Sequence, residues 1–211
     1  MLPRRCLSKS CLLTTAVIGA GPLGRWLALA AARAGDRVLL EDVMPSNLHH
    51  AQEYIRRELS PSNLGHEVRV SFVSSIEDAV READLAIDCV PDELESKLEI
   101  FWLLDRMAPP CTVLATPTTR LSITDLAACT YRPDKCIAIV AEARGLAEST
   151  GSEILLRVTP RTSAETVALV ENFWRRLGIA PRFETETDWT PTVPVESTAA
   201  ASQPAFPSTD S

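Results

Sequence analysis

Gly19-Ala20-Gly21-Pro22-Leu23-Gly24, set directly after the apolar run Leu12-Leu-Thr-Thr-Ala-Val-Ile18, decides how this chain is read. The six residues fit G-x-G-x-x-G, a pattern that is weak alone and informative when it follows a strand and opens a helix. Leu12 to Ile18 is short, apolar and partly β-branched, and it stops at glycine, as a buried strand does. Pro22 to Ala34 is rich in Ala and Leu and is closed by Gly35, which predicts a helix. Proline at its start is well placed, because the missing N–H has no intrahelical partner there. In this context Gly19 permits the tight turn, Gly21 lets the backbone approach a pyrophosphate, and Gly24 lets helix and strand pack closely. The helix N-terminus adds unpaired N–H groups and a positive dipole end.

The next strand, Arg37 to Leu40, runs into Glu41 and Asp42. Asp42 stands near the spacing of about 20 residues at which an acidic side chain meets the adenosine ribose. With Glu41 beside it and no arginine just after, a 2′-phosphate is repelled, so NAD is favoured over NADP. The expected cofactor contacts are Gly19, Ala20, Gly21, Pro22, Leu23, Gly24 and Asp42. The bland reading is a glycine turn kept only for packing, with Asp42 as a strand-end cap.

Outward from this unit, helical and strand patterns alternate. Helices are expected over Pro45 to Leu59, Ser75 to Glu82, Leu94 to Met107, Ile123 to Ala128 and Ala164 to Leu177. Strands are expected over Glu67 to Val73, Leu85 to Val90, Thr112 to Ala115, Cys136 to Val140 and Glu153 to Val158. Such alternation implies an α/β fold: a Rossmann-like, doubly wound and mainly parallel sheet in a single domain over residues 12–186. Residues 1–11 read as a frayed leader and residues 187–211 as a disordered tail rich in Pro, Ser, Thr and Ala.

The 211 residues, 45% hydrophobic and 23% charged, are enough for a core that needs no disulfide or metal. A net charge of −7 argues against nucleic acid and anionic membrane surfaces as partners. No apolar run approaches the roughly 20 residues of a membrane span. The six cysteines are scattered, with no C-x-x-C pair, so they read as reduced thiols in a cytoplasmic protein, and no metal site is expected.

Several stretches together resemble the NAD-binding domain of the 3-hydroxyacyl-CoA dehydrogenases, from about Thr15 to Glu186. They are Ala16-Val-Ile-Gly-Ala-Gly-Pro-Leu-Gly24, Val38-Leu-Leu-Glu-Asp42, and Ala83-Asp-Leu-Ala-Ile-Asp-Cys-Val-Pro-Asp-Glu-Leu-Glu95 with Lys97. Leu104-Asp-Arg-Met-Ala-Pro-Pro110, Val113-Leu-Ala-Thr-Pro-Thr-Thr-Arg-Leu-Ser-Ile123 and Thr159-Pro-Arg-Thr-Ser-Ala-Glu-Thr166 extend the likeness. The resemblance implies hydride transfer between NAD and the 3-hydroxy group of an acyl-CoA in fatty-acid metabolism. It also implies cofactor contacts from Val90, Pro91 and Lys97.

The catalytic pattern is where the resemblance breaks. The family uses a histidine as general base, in a His-Phe-Phe-Asn-Pro run at a strand end, held by a glutamate. Here Val140 falls at the histidine position and is followed by Ala141-Glu-Ala-Arg-Gly145, while Leu155 or Leu156 falls at the glutamate position. The family's Asn-Thr-Ser segment reads Pro117-Thr118-Thr119. The helical arm between Asp42 and Val70 looks shortened, and the C-terminal helical domain has no counterpart in the 211 residues. Thr119 and Glu142 are weak candidates for a catalytic role. His49, His50 and His66 lie far from the site in sequence, and Lys97 and Lys135 read as solvated lysines.

Three functions follow as alternatives. The first is an NAD(H)-binding protein of this family with the usual His–Glu pair missing. The second is an active oxidoreductase on a 3-hydroxyacyl or other small hydroxy acid, with a different base. The third is a protein-interaction module on a Rossmann scaffold, since fold alone does not choose function. Trp26, Trp102, Trp174 and Trp189 read as packing residues. Without the terminal domain, Phe173, Trp174 and Leu177 are expected to form an exposed patch on the last helix, for self-association or a protein partner.

Overall fold

The computed structural model describes residues 12–59, 70–140 and 153–188. The expected leader, Glu142, His66, Trp189 and the tail beyond residue 188 lie outside the described residues. In chain order the elements are β1 (Thr14–Ile18), α1 (Pro22–Arg33), β2 (Arg37–Glu41), α2 (Pro45–Glu58), β3 (Val70–Val73) and α3 (Ile76–Val80). β4 (Leu85–Asp88), α4 (Leu94–Met107), β5 (Val113–Pro117), α5 (Ile123–Ala128) and β6 (Cys136–Val140) follow. β7 (Glu153–Val158), α6 (Ala164–Arg176) and β8 (Ala180–Thr185) complete them.

The strands form one eight-stranded sheet in the order β3-β2-β1-β4-β5-β6-β7-β8. All neighbours are parallel except β6 and β7, which run antiparallel. The order reverses at β1, between β2 and β4, and the carboxyl ends of the strands at such a switch point frame a crevice.

The two-residue period of the strands divides the core between two faces. Val17, Leu40, Ile87, Ala115, Ile137 and Leu156 meet α1 and α6 on one side. Ala16, Ile18, Leu39, Ala86, Leu114 and Ala138 meet residues of α3, α4 and α5 on the other. A buried ionic cluster fastens the amino edge: Asp36 accepts from Leu13 N at 3.0 Å and from Thr15 Oγ1 at 3.1 Å, and it pairs with Arg176 of α6. Among the described residues, no helix is long and apolar enough to cross a membrane.

Two expectations are corrected here. Phe173 and Trp174 are not an exposed patch; they are 1% and 0% exposed and pack edge to face at 5.4 Å. β8, which the sequence reading missed, is the reason. It extends the sheet beyond β7, so α6 has sheet to cover, and Leu177 and Phe183 close over the same core. Trp102, read as a packing residue, is half exposed on α4, with the Arg106 guanidinium 4.9 Å from its ring centroid.

Candidate functional site

The site grows from the end of β1. Gly19 takes φ +100°, a backbone region open to glycine at little cost, and its N–H donates to the Glu41 carbonyl at 2.8 Å. On the other side Cys89 N donates to the Ile18 carbonyl at 2.7 Å, so the turn is clasped between the ends of β2 and β4. A Cβ on Gly24 would lie 1.8 Å from the Gly19 carbonyl oxygen, so only glycine lets α1 start this close to β1. A Cβ on Gly21 would meet nothing within 4 Å; that side of the turn faces open space.

At the start of α1, Gly21 is the N-cap with no side-chain capping bond, and no acidic residue stands in the first turn. The first helical bond runs from Arg25 N to the Gly21 carbonyl, which leaves the preceding N–H groups directed out of the helix. An uncapped, glycine-lined helix start with free space before it fits a pyrophosphate. Asp42 accepts from Ala20 N at 2.8 Å and from Met44 N at 2.8 Å, and Asn47 Nδ2 bonds both its oxygens at 3.1 and 3.2 Å. Asp42 therefore caps the strand end, pins the turn and borders the cleft.

A cleft of about 910 Å³ opens here. Its end beside β2 is lined by Glu41, Asp42, Val43, Met44, Asn47 and Ile76. Its far end is lined by Cys89, Val90, Pro91, Asp92, Pro117, Thr119 and Arg120. Gly19, Gly21, Pro22 and Leu23 lie between, while Ala20 and Gly24 support the turn from behind. The sequence reading thus brings together Val90, Pro91 and Thr119 with the glycine turn. His49 and His50 are exposed on α2, away from the cleft lining.

Lys97 is a correction. It is neither solvated nor on the cleft: it is 0% exposed, with Nζ 3.3 Å from Asp88 Oδ2 and 3.2 Å from the Asp88 carbonyl. Asp88 also accepts from Val90 N at 3.0 Å and Thr116 Oγ1 at 3.1 Å. Burial still pushes the Asp88 carboxyl above its ordinary range, against the opposing pull of the Lys97 ammonium. The pair's visible work is to fix the loop after β4 that forms the cleft wall. Burial drives the thiol of Cys89, beside it, far above the ordinary range.

Sequence reasoning assigned no cleft role to Asp92, Arg120 or Asn47, and gave Glu41 only a repulsive one. Asp92 Oδ2 accepts from Thr119 N at 3.2 Å and its Oδ1 is buried without a partner among the described residues, while Arg120 Nη2 donates to the Asp92 carbonyl at 2.9 Å. Asp92 lies inside a stretch that carried the family resemblance, the one signal that could have found it. Val140 and Leu155 are directly opposed across the antiparallel β6–β7 pair. Leu156, the other candidate for the glutamate position, pairs with Ile139 next to Val140. Among the described residues, no group of His, Cys, Asp and Glu is arranged to hold a metal.

Comparison with known proteins agrees with this geometry. The family model for the NAD-binding domain of 3-hydroxyacyl-CoA dehydrogenase matches residues 14–140. A probable 3-hydroxybutyryl-CoA dehydrogenase of Bacillus subtilis is 30% identical over 178 residues, covering 74% of this chain and 62% of that protein. The crystal structure of 3-hydroxybutyryl-CoA dehydrogenase from Escherichia coli superposes with a TM-score of 0.73 at 28% identity, over 83% of this chain and 38% of that one. The Archaeoglobus fulgidus 3-hydroxyacyl-CoA dehydrogenase structure gives 0.70 at 26% identity, over 82% and 56%. In each case the chain spans less than two thirds of its relative's length. The uncapped glycine turn, the Asp42 clasp and the matched residues have one explanation: this chain belongs to the 3-hydroxyacyl-CoA dehydrogenase family, through that family's NAD-binding domain.

Proposed function

We propose that the chain binds NAD(H) in the cleft at the carboxyl ends of β1, β2, β4 and β5, and does so without the family's histidine-based proton transfer. The observation that carries the first half is the space in front of Gly21, closed behind by the Gly24–Gly19 contact that tolerates no side chain. Bound NAD supplies a hydride acceptor. The chain's own groups orient it: the α1 N-terminus holds the pyrophosphate, Asp42 with Asn47 meets the ribose hydroxyls, and Val90 and Pro91 wall the far end. Val140 and both candidate glutamate positions, Leu155 opposite it and Leu156 opposite Ile139, support the second half, because apolar side chains neither take nor steer a proton.

One observation favours a second reading, an oxidoreductase working through a different group. Thr119 and Asp92, whose Oδ1 has no partner among the described residues, stand together at the far end of the cleft. The substrate would then be a 3-hydroxyacyl-CoA or a smaller hydroxy acid. The described cysteines Cys89, Cys111, Cys129 and Cys136 are unpaired, which suits a reducing, cytoplasmic setting.

Titration with NADH and NADPH, followed by tryptophan-to-nicotinamide energy transfer, tests the binding. Saturable NADH binding that is weaker for NADPH and lost in Gly21→Val supports it; no binding of either overturns it. NADH oxidation with a 3-oxoacyl-CoA decides the rest. A background rate supports the non-catalytic reading, and turnover lost in Asp92→Asn supports the second.

A further inference from the structure

Glu41 is 5% exposed, lines the cleft, and makes no side-chain hydrogen bond to any described residue. The side chain is largely buried while its carboxyl reaches the open cleft, so its surroundings show what it is placed to meet. By strand alternation it shares a sheet face with Leu39, the face that packs on α3 and α4. Asp42, one residue on, turns instead to Ala20 N. The two adjacent carboxyls therefore serve opposite sides of the strand end. Around Glu41 the cleft is apolar: Ile18 opposite it on the neighbouring strand, Ile76 at the start of α3 and Ile100 on α4 line the same face. Of these neighbours on β1, α3 and α4, none is titratable. The charged group that acts on Glu41 is Asp42, the next residue, whose repulsion adds to burial in raising the Glu41 carboxyl.

An aliphatic slot with a single polar group on its wall suits a flat, apolar-faced heterocycle carrying a hydrogen-bond donor on its edge. We propose that Glu41 reads the adenine base of the dinucleotide, its carboxyl oxygen accepting a hydrogen bond from the exocyclic amino group while Ile76 and Ile100 enclose the ring. Glu41 is then a specificity residue for the base, distinct in role from Asp42 at the ribose. The inference rests on the NAD-binding reading.

The test compares NAD with 1,N6-etheno-NAD, in which the amino group is bridged to the ring and has no N–H to give. Affinities are measured for the wild-type protein, Glu41→Leu and Glu41→Gln. The wild type should prefer NAD by about tenfold, the scale of one hydrogen bond to a carboxylate. In Glu41→Leu, which suits the apolar slot and should fold, that preference should fall to within about twofold, and Glu41→Gln should retain most of it through its amide oxygen. An equal preference in wild type and Glu41→Leu overturns the role of Glu41 and leaves NAD binding standing. Failure of the wild type to bind either dinucleotide overturns both.

Discussion

Ala20 N donates to Asp42 Oδ2 at 2.8 Å, joining the glycine turn to the end of β2 across 22 positions of sequence. The carboxylate proposed to meet the ribose already holds the loop proposed to meet the phosphates. Asp42→Ala should leave the N–H groups of Ala20 and Met44 without their acceptor and cost about 1–3 kcal/mol of stability. NADH affinity should fall at least tenfold. Denaturant unfolding and NADH titration of the same preparation check both; unchanged stability would mean that the clasp is dispensable.

The two later glycines of the turn should separate folding from binding. Gly24→Ala drives a methyl into the Gly19 carbonyl at 1.8 Å, and it should cost more than about 3 kcal/mol because backbone, not a flexible side chain, must move. Gly21→Ala meets no protein atom and should unfold like wild type while losing NADH binding. Thermal melts alongside titration distinguish them, and a destabilised Gly21→Ala would contradict the assignment of open space to ligand.

Glu41 should make stability pH-dependent in a defined window. Burial, with Asp42 adding repulsion, raises its carboxyl from 4.5 to about 7. Between those values the folded protein holds a proton that the unfolded chain has released, so the wild type loses stability as pH rises through the window and levels off above it. Glu41→Gln removes the charge. It should be more stable than wild type by about 1–2 kcal/mol at pH 8, a discounted figure because the carboxyl borders an open cleft. Near pH 4.5 the two should be alike. Urea midpoints across pH 4.5–8 provide the measurement, and a constant difference across the range would dispose of the titration.

The Asp88–Lys97 pair should behave as a closed unit. Lys97→Met leaves a buried carboxylate without its cation and should cost about 3–5 kcal/mol. Asp88→Asn in the same chain should recover at least half of that loss. A Lys97→Met protein with wild-type stability would show that the ammonium is not compensating the buried charge.

How much of this was legible in the sequence depends on the range of the forces involved. The turn from Gly19 to Gly24 and the strand-end Asp42 are local, fixed by backbone geometry and short spacing, and α4, α5, β6 and β7 have the bounds that periodicity gave them. β8 escaped because Ala180–Thr185 carries Pro181, Arg182 and Glu184, a polar pattern that becomes a strand only against β7. Missing it made Trp174 look uncovered. Lys97 was misread for a similar reason: its partner, Asp88, lies nine residues back at the end of a strand, where ordinary exposure habits do not apply. Glu41 and Asp42 are adjacent letters, and only the alternation of β2 sends them to opposite sides.

The polar make-up of β8 has a consequence for how the molecule meets its own kind. A sheet ends in a row of backbone groups that can template another strand, and this sheet ends at β8 on one side and at the four-residue β3 on the other. On β8, Pro181 has no N–H to offer, and the exposed Arg182 puts charge on the rim. The residues that hid the strand from a hydrophobic pattern are those that make it a poor seed for edge-to-edge polymerisation.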